Sequence, residues 1–201
     1  MRTTWSASPA QTRAIGAGIA GVLRAGDVVL LVGSLGAGKT TLVQGLVRAL
    51  GAQEAVTSPT FTLAHRYKTA PPLTHVDLWR LEHLQEVVEL ALDEELEEGG
   101  VVIVEWGEAA EPLYGADALV VRLGWGLAEG ERTVEIEFRG EAWSSREVEL
   151  AEAFGATAGG AAASSVAGDG AAAGGGTERG AAASDVAGGG AAAGGGTAGQ
   201  G

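Results

Sequence analysis

The spacing of apolar and polar positions changes along the chain, and each change marks an element. Val28 to Val32 are apolar without a break, as in a strand covered on both faces. After them Leu42, Val43, Leu46, Val47 and Leu50 recur at helical spacing up to a stop at Gly51. Ahead of them Ser8 caps a helix that Pro9 opens, with Ala14, Ile15, Gly18, Ile19, Val22 and Leu23 on one face. Val101 to Val104 form a second unbroken apolar run, the mark of a central parallel strand, and it ends on Glu105. Phe61 and Leu63 alternate with threonines as in a strand entering a sheet, and Val76 and Leu78 flank Asp77 near the end of another. From His83 the period turns helical through Leu84, Val87, Val88 and Leu92, and Asp93 to Glu98 supply a solvated acidic face. Leu119 to Leu123 read as one more strand, and Thr133 to Phe138 alternate like an antiparallel edge with one wet face. This is the pattern of an α/β fold with central parallel strands and antiparallel edge strands.

The join between Val32 and Leu42 carries the chemistry. Gly33-Ser34-Leu35-Gly36-Ala37-Gly38-Lys39-Thr40 fits G-x-x-x-x-G-K-[ST] at every fixed position, and Thr41 leads into the helix. Glycines let the backbone fold back so that successive N–H groups point at phosphate oxygens. The following helix presents unpaired N–H groups and its positive dipole end to the same anion. Lys39 is then placed for the β- and γ-phosphates and the Thr40 hydroxyl for Mg²⁺, so ATP and Mg are the expected cofactors. Strand, loop and helix flank the motif in the order a phosphate cradle needs, which a chance glycine-rich turn would lack.

Carboxylates at strand ends complete such a site, because open α/β sheets bind ligands beyond the carboxyl ends of their strands. Mg²⁺ takes hard oxygen ligands and keeps several waters, so one or two carboxylates suffice. Glu105 is the first candidate for the ion and Asp77 the second, with a water-positioning or general-base role also open to Asp77. Spacing alone does not order the two. Trp106 reads either as a lid over the nucleotide or as a packing tryptophan. Arg132 reads as a nucleotide contact or a surface residue, and Gln11 and Thr12 as base-pocket or packing residues. His75 and Arg80 read as loop anchors. Ser58, Thr60 and Thr62 crowd around Pro59; by themselves they make a hydroxyl-stabilised turn, but after a phosphate loop they stand where a γ-phosphate-sensing switch belongs.

Composition narrows the setting. The absence of cysteine rules out disulfides and thiolate metal sites. No stretch is long and apolar enough to span a membrane, and the start lacks a signal-peptide core, so the expected location is cytoplasmic. A net charge of −13 argues against a surface that grips nucleic acid: no DNA partner is expected, and tRNA only indirectly. Residues 151–201 hold 17 of the 34 glycines, and 160–179 nearly recur at 180–199 with one valine in each unit. So little apolar surface does not offset the ordering entropy of a glycine-rich backbone. Residues 1–150 therefore read as a P-loop ATPase domain and 151–201 as a Gly/Ala-rich, disordered low-complexity tail.

Gly-Ala-Gly-Lys-Thr-Thr (36–41), Ser-Pro-Thr-Phe-Thr-Leu (58–63), His-Val-Asp-Leu-Trp-Arg-Leu (75–81) and Val-Glu-Trp (104–106) occur in that order at suitable distances. Together they resemble the bacterial TsaE (YjeE) family, the ATPase of tRNA threonylcarbamoyladenosine biosynthesis, over about residues 5–140. The resemblance implies a three-layer, P-loop NTPase-like fold, Mg²⁺ ligands at Thr40 and Glu105, a catalytic aspartate at Asp77 and a nucleotide-sensitive switch at Ser-Pro-Thr. It also implies ATP hydrolysis in support of a TsaB–TsaD complex. That complex attaches a threonylcarbamoyl group to an adenosine beside the anticodon of tRNAs reading codons that begin with A. The chain departs from the family pattern at Ser34, where an aspartate is usual, and at Trp79, where a tyrosine is usual.

Three activities fit the residues. A partner-stimulated ATPase leads. A small-molecule kinase would use Asp77 to activate an acceptor hydroxyl, but the stretch from 84 to 121 has no arginine to build an enclosing lid. A nucleotide-dependent binding switch would bind ATP tightly without hydrolysing it.

Overall fold

A computed structural model describes residues 1–154 apart from residue 82. The described residues form a seven-stranded sheet in the order β1-β7-β6-β2-β5-β4-β3. Its strands are β1 Arg2–Ser6, β2 Val28–Val32, β3 Ala64–Tyr67, β4 Leu73–Asp77, β5 Val101–Glu105, β6 Leu119–Trp125 and β7 Arg132–Phe138. The centre is parallel, with β2 between β5 and β6 and β4 beside β5. β3 pairs antiparallel with β4, β7 with β6, and β1 with β7.

Helices cover both faces, which is why β2 and β5 have no polar alternation until Glu105. Val29, Leu31, Val101 and Ile103 pack beneath α1 (Pro9–Ala20) and α2 (Lys39–Ala49). Val28, Leu30, Val102 and Val104 face the opposite way, toward α3 (Leu84–Val88) and α4 (Leu92–Glu97). The α1–α2 crossing is close enough to require glycine: a Cβ at Gly45 would lie 1.9 Å from the Arg13 carbonyl oxygen. That contact sets the position of α2, and with it the start of the helix that closes the phosphate loop.

Several predicted boundaries shift. Phe61 and Leu63 do not enter a strand: the N–H groups of Thr62 and Leu63 both donate to Pro59 O, making a tight turn, and β3 starts at Ala64. The helix expected from Leu84 to Leu92 breaks at Ala91, which takes φ +50° and separates α3 from α4. β7 is antiparallel as expected, but β1 covers its outer edge. β1 carries a single apolar residue, Trp5, and is too short to show an alternation, so it has no counterpart in the sequence reading.

After α5 (Glu111–Tyr114) and β6–β7 come α6 (Glu141–Ser144) and a helical run over 147–154. Buried Arg146 makes a two-pronged ion pair with Asp27, at 2.6 and 2.8 Å, and donates to Val22 O. The far end of the described chain is thereby tied to the α1–β2 connection. Residues 151–154, expected to begin the disordered tail, belong to that helical run, and the rest of the expected tail lies outside the described residues. Among the described residues no helix is long and apolar enough to cross a membrane.

Candidate nucleotide site

The end of β2, the start of α2 and the ends of β4 and β5 converge on a cleft of about 350 Å³. Leu35, Gly36, Gly38, Lys39, Thr40 and Thr41 line it from the loop, and Ser58, Thr60, Asp77, Trp79, Glu105 and Trp106 face them. A larger groove of about 640 Å³ runs between α1 and α2, but half of its lining residues are alanine, and neither Asp77, Glu105 nor the glycine loop borders it. Convergent polar groups make the smaller cleft the candidate site.

The loop turns through positive φ at Gly33 (+147°), Gly36 (+77°) and Gly38 (+107°). At Gly33 the space is also exclusive, since a Cβ would lie 2.4 Å from Leu123 O. The Lys39 ammonium folds back into the loop, donating to Gly33 O at 2.6 Å and Ser34 O at 3.0 Å. It also sits 3.7 Å from the Trp106 ring centroid. Burial lowers the Lys39 pKa, with Glu105, Glu108 and Asp77 acting in the opposite direction. Trp106 reaches this position through φ +60°, an uncommon conformation for a bulky residue, and its ring packs against Trp79 at 4.3 Å. It is therefore a cleft wall.

Strand register brings the two carboxylates together. Asp77 and Glu105 are paired positions of parallel neighbours, so both leave the sheet at the same level. Glu105 Oε2 accepts from the Thr40 hydroxyl at 3.0 Å, and Glu105 Oε1 lies 2.9 Å from His75 Nε2. Asp77 Oδ2 accepts from the hydroxyls of Ser58 and, at 2.7 Å, Thr60, while Asp77 Oδ1 accepts from the Trp79 N–H at 3.0 Å. The geometry therefore separates the carboxylates: Glu105 adjoins the loop threonine, and Asp77 holds the hydroxyl-rich segment. Thr62 stays apart, with its hydroxyl 3.5 Å from Pro59 O. A hydroxyl and a carboxylate oxygen side by side fit a hard cation such as Mg²⁺. Among the described residues no group of three or more His, Asp or Glu gathers as a metal cage.

The β6–β7 connection braces the loop from outside. Arg132 donates to Ala37 O at 3.1 Å and to Gly36 O at 3.3 Å, and its guanidinium stacks 3.9 Å over Trp125. The Trp125 indole N–H donates to Ser34 Oγ at 3.1 Å. Arg132 thus contacts the loop backbone. Gln11 and Thr12 are spent locally, Gln11 Oε1 accepting from the Ala7 N–H and Thr12 sharing a hydrogen bond with Ser6. Trp125 is the residue that sequence reasoning missed, and His75, expected to anchor a loop, is instead buried in the middle of β4 against Glu105. Trp125 sits on an exposed strand end with no motif around it, and His75 gives no sign of its partner 30 positions away.

The family model described as threonylcarbamoyl adenosine biosynthesis protein TsaE matches residues 6–134. The chain belongs to the TsaE family. The TsaE of Streptomyces coelicolor is 42% identical over 145 residues, covering 69% of this chain and 97% of that one. The TsaE of Nostoc is 48% identical over 120 residues, covering 57% and 72%. In three dimensions the chain resembles Bacillus subtilis YdiB with a TM-score of 0.65 at 29% identity, covering 75% of this chain and 94% of YdiB. The TsaE match runs from the last residue of β1 into the start of β7, and so contains the loop, both carboxylates and the hydroxyl segment.

Proposed function

We propose that this TsaE-family chain is a Mg²⁺-dependent ATPase acting in tRNA threonylcarbamoyladenosine biosynthesis as support for a TsaB–TsaD-like complex. The observation that carries the reading is the contact between Thr40 and Glu105, which joins the phosphate loop to a strand-end carboxylate at 3.0 Å. Loop N–H groups and the α2 terminus bind the phosphates, and Lys39 exchanges its loop carbonyls for β- and γ-phosphate oxygens. Thr40 and Glu105 are the residues that hold Mg²⁺, whose charge offsets that developing on the phosphates. Asp77 orients the attacking water once its oxygens are released from Ser58 and Thr60. Those two hydroxyls form the switch, since they either hold Asp77 or leave it free.

Among the described residues lining the cleft, Lys39 supplies the cationic side chain. An additional cation delivered by a partner accelerates hydrolysis in related phosphate-loop enzymes. Slow turnover alone and faster turnover in complex are therefore expected. The test is Mg²⁺-dependent ATP hydrolysis by the purified protein, alone and with TsaB–TsaD, with Lys39→Ala as control. Partner-dependent turnover lost in the variant supports the proposal. The capped state of Asp77 favours one second reading, a nucleotide-dependent binding switch. Tight ATP binding with no hydrolysis in the presence of partner would establish that reading instead.

A further inference from the structure

The geometry points to His75 as a positioning residue that fixes the Glu105 carboxylate for divalent-cation binding; this rests on reading the cleft as a Mg²⁺–nucleotide site. His75 lies in the middle of β4 and is fully buried. Its Nε2 lies 2.9 Å from Glu105 Oε1, and a carboxylate oxygen accepts, so the ring hydrogen sits on Nε2. Among the described residues the other ring nitrogen, Nδ1, is buried and has no hydrogen-bond partner. A buried polar atom without a partner is destabilising, a cost an apolar residue would avoid at this position. Among the described residues, the imidazole's one polar contact is with the carboxylate that also meets Thr40.

Strand geometry explains the reach. His75 and Asp77 are two residues apart and leave β4 on one face, while Asp77 is register-paired with Glu105 on β5. The His75 ring therefore stands behind the Glu105 side chain on its protein side. Glu105 Oε1 is held by the ring and Oε2 is directed at Thr40, so the carboxylate is divided between a fixed oxygen and one left for the cation. Partners of this kind typically change metal affinity about 10- to 100-fold when removed. Tyr67 stacks near the imidazole, with ring centroids 6.4 Å apart.

The test uses the 201-residue chain as wild type, His75→Leu, His75→Gln and His75→Asn. Mn²⁺ affinity is read by electron paramagnetic resonance with ATP present, ATP affinity by calorimetry in EDTA, and fold integrity by thermal midpoint. The glutamine amide nitrogen can take the place of Nε2, whereas the shorter asparagine cannot reach Glu105. The expected result is Mn²⁺ affinity reduced about tenfold or more in His75→Leu and His75→Asn, largely restored in His75→Gln, with ATP affinity in EDTA unchanged throughout. If His75→Leu does not fold, the asparagine–glutamine comparison decides. Equal Mn²⁺ affinity in those two variants, or a parallel loss of Mn²⁺ and metal-free ATP affinity, overturns the inference. A wild-type protein that binds no Mn²⁺ with ATP present would instead bring down the Mg²⁺–nucleotide reading itself.

Discussion

The Thr40 hydroxyl donates to Glu105 Oε2 across the cleft, joining the second residue of α2 to the last residue of β5 at 3.0 Å. Thr40→Ala removes one of two adjacent oxygens and should leave phosphate binding by the loop intact. The enhancement of ATP affinity by Mg²⁺ should fall about tenfold, or ~1.4 kcal/mol. Calorimetric titration of ATP with and without Mg²⁺ checks this, and equal losses in both conditions would count against a metal role.

Asp77 is the anchor of the segment around Pro59. Asp77→Ala leaves Ser58, Thr60 and the Trp79 N–H without their common acceptor. Amide hydrogen exchange over 57–63 should quicken while ATP still binds. Partner-stimulated hydrolysis should drop about 100-fold or more if Asp77 handles the attacking water. Unchanged exchange would show that the segment is held by something else.

Arg132 acts on the loop backbone through Gly36 and Ala37. Arg132→Ala should weaken ATP binding to the same degree with and without Mg²⁺, because it loosens the cradle and does not touch the cation oxygens. Trp125→Phe removes the donor to Ser34 and should produce the same pattern more weakly. A defect confined to the Mg²⁺-bound state would contradict this account.

The buried Asp27–Arg146 pair predicts that the fold depends on residues beyond β7. Arg146→Leu strands a buried carboxylate and should cost about 3–5 kcal/mol, lowering the thermal midpoint by roughly ten degrees. The exposed Arg24–Glu149 pair is the internal control. Arg24→Ala should shift stability by at most about 0.5 kcal/mol.

Both tyrosines have raised pKa values. Burial raises Tyr114 to about 12, helped by its hydrogen bond to Asp93. Burial also raises Tyr67, followed by the charge of Glu54, with the Thr57 backbone opposing. The ordinary phenol value is 10.0, so above it the unfolded chain loses protons that the folded chain keeps. This contribution to stability is complete below pH 10 and is lost as pH rises through the raised values. Phenolate absorbance of the folded and urea-unfolded protein should show the displacement, and the urea midpoint should decline above pH 10.

The phosphate loop, its strand and its helix were legible because every group they need lies within one short stretch. Glycine spacing, an apolar run and a helical period are local quantities, and they survive folding because β2 is buried on both faces. The central parallel strands were legible for the same reason. What failed locally was short or polar: β1, the turn at Thr62 and Leu63, and the break at Ala91 each depend on bonds or dihedral angles that no hydrophobic period encodes.

From the sequence alone came the list of groups available for chemistry: a lysine and threonine on the loop, two strand-end carboxylates, and a cluster of hydroxyls. Tertiary structure decided which of them meet. The β4–β5 register sets Asp77 beside Glu105, the α1–α2 crossing brings Thr40 to Glu105, and the same packing leaves Ser58 and Thr60 to Asp77. It also revealed His75 behind Glu105 and the Arg132–Trp125 brace on the loop. Residue type states what a side chain can donate or accept. Its partner, tens of positions away in the chain, is chosen by strand order and by the burial that makes an unmet polar group costly.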